Sequence, residues 1–167
     1  MASMDIVSKP DLHEVKNAID QAQKELKTRF DFKGTDPTID EIEGGFKLSA
    51  STEEKVKAVA DVIEDKFIKR KISIKFLERK DPQASGARFT MQLLLKKSLD
   101  TENAKKIVAI LKENKQLKVT SSIQNDKKTG DSKVRVESKQ IDDLQAVQAL
   151  LRSKELPVHL SFENYQR

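Results

Sequence analysis

Apolar side chains recur along this chain in two rhythms. From Leu12 they return at Val15, Ile19, Ala22 and Leu26, the three-and-four spacing of one helix face. Asp11 follows Pro10, and Glu14 stands three residues on, so Asp11 takes the N-cap role of a capping box. A second helix opens at Ser51-Thr-Glu-Glu54 and runs through Val56, Val59, Ile63 and Phe67. Around these helices the period is two: Ser3–Ser8, Arg29–Lys33 with Phe30 and Phe32 in one phase, and Ile72, Ile74 and Phe76. Gly44-Gly45 between Thr38–Glu43 and Phe46–Ala50 predicts a hairpin.

The second half repeats that order. Phe89, Met91, Leu93 and Leu95 alternate, and Asp100 then caps a helix carrying Ala104, Ile107, Val108 and Leu111. Leu117, Val119, Ser121 and Ile123 alternate, Asn125–Asp131 makes a polar turn, and Val134 and Val136 resume the alternation. Leu144, Val147 and Leu151 mark a last helix, and Leu156, Val158, Leu160 and Phe162 a last strand.

Each half thus reads strand–helix–strand–strand–helix–strand, with an extra strand segment at Arg29–Lys33. This is the ferredoxin-like order. The expected fold class is α+β: two ferredoxin-like (βαββαβ) domains, each an antiparallel sheet with two helices on one face. The densest cluster of loop formers, Asp81-Pro-Gln-Ala-Ser-Gly-Ala87, sets the expected boundary, with domains at residues 1–82 and 83–167. The pattern also admits an exchange in which Ser3–Ser8 pairs with the second half.

Charge divides at the same boundary. Residues 1–82 carry 16 basic and 17 acidic side chains, net −1; residues 83–167 carry 16 and 10, net +6. The whole excess of a chain with formal charge +5 therefore lies in the second half, which favours a polyanionic partner there. The chain has no Cys, which excludes a disulfide framework, a thiolate nucleophile and a cysteine zinc site, and its two His cannot supply a three-histidine zinc centre. No apolar run is long enough to span a membrane, and the segment MASMDIVSKP lacks a signal stretch, so the expected location is the cytoplasm of a bacterium.

Nothing in the pattern points to catalysis. Asp142-Asp143 and Glu53-Glu54 fall in expected first helical turns, where they favour the helix dipole. His159 takes the polar phase of a strand, and no phosphate-binding glycine loop is present. No cofactor is expected. The polar phase of the second half carries Thr90, Gln92, Leu94, Lys96, Lys118, Thr120, Ser122, Gln124, Lys133, Arg135, His159 and Ser161, with Glu137 its single acid. Such a face suits phosphate and sugar contacts, and without an aromatic it lacks the base-stacking mode of sheet-surface RNA binders.

Contiguous blocks in order bring a family into view: Ser3-Met4-Asp5-Ile6-Val7-Ser8, Asn17-Ala18-Ile19-Asp20, Arg29-Phe30-Asp31-Phe32-Lys33-Gly34, Ala104-Lys105-Lys106-Ile107-Val108, Val134-Arg135-Val136 and Asp142-Asp143-Leu144-Gln145-Ala146-Val147. Over nearly its full length the chain resembles the YajQ family. That resemblance implies bacterial origin, tandem ferredoxin-like domains, nucleotide binding with RNA contact or cyclic-dinucleotide sensing, and no catalytic activity. The chain departs from the family at Ser138-Lys139-Gln140-Ile141, where a Gly-Lys-Lys-Arg run is favoured; Lys139 is left as the only cation there.

The resulting expectation is a non-enzymatic nucleotide- or RNA-binding protein. Its phosphate ligands would be Arg29, Lys33, Lys96, Lys118, Lys133, Arg135 and Lys139. The alternatives are a cyclic di-GMP-responsive regulator acting through a protein partner, and a plain interaction module.

Overall fold

The computed structural model describes residues 1–167. In chain order its elements are β1 (Ala2–Val7), α1 (Leu12–Thr28), β2 (Thr38–Ile42), β3 (Gly45–Ala50), α2 (Glu53–Lys69), β4 (Leu77–Arg79), β5 (Gln83–Ser85), β6 (Arg88–Leu95), α3 (Thr101–Glu113), β7 (Val119–Asn125), β8 (Ser132–Ser138), α4 (Ile141–Ser153) and β9 (Ser161–Gln166). Three helices start on side-chain caps. Asp11 accepts from the backbone of His13 and Glu14, Thr52 from Lys55, and Asp100 from Asn103. Each such cap satisfies helix N–H groups that would otherwise lack a partner, and is worth about 1 kcal/mol.

The four helices and two antiparallel sheets match the α+β expectation of two ferredoxin-like domains. Two units form: Met1–Lys9 with Lys97–Arg167, and Pro10–Lys96. The sheet of the first runs β7-β8-β1-β9; that of the second runs β2-β3-β6-β4, with β5 alongside β6. In a βαββαβ fold the first strand lies centrally, between the third and the fourth. β1 holds that place in the first unit and β6 in the second, so the two halves have traded first strands. Ser3–Ser8, which the sequence allowed to pair with either half, lies between β8 and β9. The expected cut after Pro82 falls between β4 and β5, inside the second unit. The reason is the pairing of β6 with β3, Phe46 opposite Leu93 and Leu48 opposite Met91, which buries all four side chains in the core beneath α1 and α2.

Three local expectations change. Arg29–Lys33 is not a strand: Phe30–Phe32 form a 3-10 turn at the end of α1, closed by the Lys33 N–H on the Phe30 carbonyl. A turn separates residues two apart, so Phe32 is 1% exposed and Phe30 86%. Ile72–Phe76 is likewise no strand. Lys71, at φ +62, ends α2 with the Ile72 N–H on the Phe67 carbonyl, and Ile74–Phe76 then make a second 3-10 turn. The last strand begins at Ser161, later than the Leu156–Phe162 alternation suggests.

Candidate functional site

β1 runs through the middle of the first unit's sheet. Ala2, Met4 and Ile6 enter the core beneath α3 and α4, and alternation sends Ser3 and Asp5 to the opposite face. Asp5 pairs with Arg135 on one side and Glu163 on the other, while Arg135 faces Ser122 beyond. The Asp5 side chain is 2% exposed. Arg135 Nη1 donates to its Oδ1 at 3.2 Å, Lys133 Nζ to its Oδ2 at 3.1 Å, and Asn164 Nδ2 to the same Oδ2 at 3.0 Å. Arg135 also donates to Ser3 Oγ at 3.1 Å and pairs with Glu137 at 3.4 Å; Lys9 pairs with Glu163 at 3.2 Å. Burial alone would raise the Asp5 pKa. The hydrogen bonds from Asn164 and Lys133, with the charges of Lys133 and Arg135, outweigh burial and hold it below the ordinary carboxylate value.

This network sets Lys9, Lys133 and Arg135 against Asp5, Glu137 and Glu163, three charges of each sign. Two cations of the face expected from the second half, Lys133 and Arg135, therefore already have carboxylate partners. Thr90, Gln92, Leu94 and Lys96 belong to the other unit, and in their place β1 and β9 bring Asp5 and Glu163. The signal for this was the phase of Asp5 in Ser3–Ser8, readable only once β1 is known to lie beside β8.

The seven expected phosphate ligands fall on both units. Arg29, Lys33 and Lys96 lie in Pro10–Lys96, and Lys118, Lys133, Arg135 and Lys139 in the other. Arg29 spans Asp31 at 2.7 Å and Glu25 at 3.3 Å and lies 5.1 Å from the Phe32 ring centroid. Its bond to Asp31 leads the causes that raise its own pKa and lower that of Asp31. Lys33 closes the 3-10 turn and is exposed, while the Lys96 N–H bonds the Phe76 carbonyl at 2.7 Å.

Lys118 and Lys139 flank one end of the β7–β8 ladder. Val119 pairs with Ser138, the end of the β7–β8 ladder, and the two lysines are the next residue beyond each partner. Ser138 Oγ lies 3.0 Å from both the Lys118 carbonyl and Asp143 Oδ2, and the Gln140 N–H lies 3.2 Å from the same hydroxyl. Both lysines are exposed, and neither has a carboxylate within ion-pair distance. α4 starts immediately afterwards at Ile141, and the side chain of its N-cap residue Gln140 makes no cap bond. At the opposite end of β8, a cleft of about 330 Å³ is lined by Lys9, Lys133, Gln124, Asn125, Asp126 and Asp131, again with two charges of each sign.

Glu53, Glu54, Asp142 and Asp143 occupy first helical turns, as their spacing indicated. No cluster of three His, Cys, Asp or Glu side chains is arranged to hold a metal ion, and no helix is long and apolar enough to cross a membrane.

Comparison with known proteins places these features in a group. A family model described as nucleotide-binding protein YajQ-like matches residues 2–166. A protein of Mycobacterium avium (strain 104) named "Nucleotide-binding protein" is 46% identical over 166 residues, 99% of this chain and 98% of its own. One of Mycobacterium tuberculosis (strain ATCC 25177 / H37Ra) with the same name is 47% identical over the same shares. With a match across both exchanged units, the chain belongs to the YajQ family.

Proposed function

We propose that this protein binds a nucleotide by its phosphate and performs no chemistry on it. The observation that carries this reading is the position of Lys118 and Lys139, two unpaired cations at one end of β7–β8, next to the uncapped start of α4. A helix start without a side-chain cap and lysine ammonium groups both favour a phosphate. The unit that holds them has 15 basic and 11 acidic side chains, net +4, against 17 and 16, net +1, in the other. The names of the relatives point the same way.

Lys133 and Arg135 are poorer ligands than their phase suggested, because Asp5 and Glu137 already hold their charge. A polynucleotide tracking across the sheet face would meet a balanced surface. A compact nucleotide at Lys118 and Lys139 would not, and a cyclic dinucleotide is the competing ligand of the same chemistry. Arg29, Lys33 and Lys96 belong to the other unit.

The test is calorimetric binding of adenosine 5′-monophosphate and cyclic di-GMP at low and high salt. Lys118→Ala and Lys139→Ala should each weaken binding about fivefold at low salt, and less as salt screens the contact. Unchanged affinity in a folded double variant overturns the site. The chain has no Trp and one Tyr, so a nucleotide retained through purification also shows directly in the ultraviolet absorbance ratio.

A further inference from the structure

The first unit exposes three large apolar side chains, Met1, Ile141 and Tyr165. Two of them, Ile141 at 40% and Tyr165 at 57% exposure, line a single groove of about 310 Å³ between α4 and β9. Its floor is the buried pair Ala2 and Leu144, and Gln145 and Arg167 stand at its rim. Apolar residues left exposed together around a concavity mark a binding surface more often than scattered ones do.

Tyr165 reaches this groove through an irregularity in β9. Phe162 packs into the core, and Glu163 points to the opposite face beside Asp5. Simple alternation would then return Tyr165 to the face of Glu163. Instead Asn164 adopts φ +57, the register shifts between Ser3 and Asp5, and Asn164 donates to Asp5 from the Glu163 face. The extra residue turns Tyr165 to the helix side, where its hydroxyl meets Gln148 Nε2 of α4. That bond, with Gln148 also 3.5 Å from Met4 Sδ, fixes the phenol ring along the groove wall.

We propose that this groove holds the base of the bound nucleotide, stacked between Tyr165 and Ile141. The inference rests on the phosphate reading above. Ile141 is two residues from Lys139, and Ala2 pairs with Ser138, so the groove opens beside the proposed phosphate ligands. A planar base needs one aromatic face, an apolar opposite wall and an amide at its edge; Tyr165, Ile141 and Gln145 supply these. Arg167 adds a cation at the far rim. The groove volume suits a single base with its sugar and not a stacked strand.

Tyr165 is the only tyrosine and there is no Trp, so the protein's fluorescence reports on this one wall. The full chain would be titrated with adenosine 5′-monophosphate, adenosine and ribose 5-phosphate, following tyrosine emission and calorimetric heat. Adenosine 5′-monophosphate and, more weakly, adenosine should quench saturably, and ribose 5-phosphate should not. Tyr165→Ala and Ile141→Ala, both at exposed positions, should each weaken adenosine 5′-monophosphate about tenfold and leave ribose 5-phosphate unchanged, while Tyr165→Phe keeps most of the affinity. Lys139→Ala should weaken both phosphate esters and spare adenosine. Two folded wall variants that bind adenosine 5′-monophosphate as the natural chain does would overturn the groove and leave the phosphate site standing. Adenosine quenching that survives, with phosphate esters insensitive to Lys118→Ala and Lys139→Ala, would overturn the phosphate site and leave the groove. No saturable quenching by either nucleoside ligand overturns the groove outright.

Discussion

Asp5 and Arg135 lie 130 residues apart in the chain and directly opposite one another in the β1–β8 pair, joined at 3.2 Å. A slip of one residue in this register would turn Asp5 into the apolar core beneath α3 and α4. The carboxylate therefore fixes both which strand lies beside β8 and how it is aligned. β6, the strand that sequence order would supply here, carries Thr90, Gln92 and Leu94 on its non-core phase and has no acid for Lys133 and Arg135. Charge matching thus favours the exchanged arrangement over the simple tandem.

Replacing this carboxylate tests that argument. Asp5→Asn keeps the shape and the Asn164 contact but leaves two cations facing a neutral group. A buried carboxylate with half-exposed partners should cost about 2–4 kcal/mol when its charge is removed. The urea midpoint should fall accordingly, with the slope of the transition unchanged. A loss below about 0.5 kcal/mol, the usual range for surface pairs, would show that water already screens the network.

The same group shapes the acid limb of stability. The Asp5 pKa is lowered in the folded state, and so is that of Glu25, chiefly by the 2.9 Å bond from Lys66, against burial and with help from Arg29. Near and below the ordinary carboxylate value the unfolded chain binds more protons than the folded one, so stability rises with pH there. Their contribution is complete above the ordinary value and lost as pH falls through the lowered ones. Denaturation midpoints measured from neutral to acidic pH should drop more steeply for the natural chain than for Asp5→Asn. Parallel curves would remove Asp5 from the account.

Most helices and strands were legible because each carries its own local signal. Asp11, Thr52 and Asp100 start helices where the caps predict, and Gly44, at φ +82, turns the β2–β3 hairpin. Phe30 and Phe32 misled because two residues at spacing two look alike in a strand and in a tight turn. The strand exchange was readable only as an option, since β1 and β6 both alternate and nothing local says which sheet each joins. The candidate site suffered from the same gap. Lys133 and Arg135 read as free cations until Asp5 was placed beside them, whereas Lys118 and Lys139 kept their character because the carboxylate at their end of the sheet, Asp143, bonds the Ser138 hydroxyl and makes no ion pair with them. Tyr165 was hidden by the shift at Asn164, a change of phase that periodicity does not contain.

Cutting the chain offers an independent check of the exchange. A fragment of residues 10–96 contains every strand of its sheet and should fold alone, with cooperative thermal unfolding by circular dichroism. A fragment of residues 1–82 lacks β6, and with it the buried Met91 and Leu93 from the centre of that core, so it should not fold cooperatively. The reverse result would mean that the tandem pairing is the stable one.

The loop before α4 allows the phosphate site to be strengthened as well as weakened. Gln140 sits at the N-cap without making a cap bond, and Asp142 and Asp143 follow in the first turn. Asp143 is engaged by the Ser138 hydroxyl at 3.0 Å, so its removal would disturb the strand end. Asp142 is exposed and makes no ion pair, so Asp142→Asn removes a repulsive charge at little structural cost. Gln140→Lys adds an attractive charge next to Lys139. Each change alters one unit charge near a solvated phosphate, worth about 0.5 kcal/mol at low salt, so each should tighten adenosine 5′-monophosphate about two- to threefold. Together they should approach the product of the two effects, and the gain should shrink as salt rises. Equal affinity in all four proteins at low salt would move the phosphate away from the start of α4.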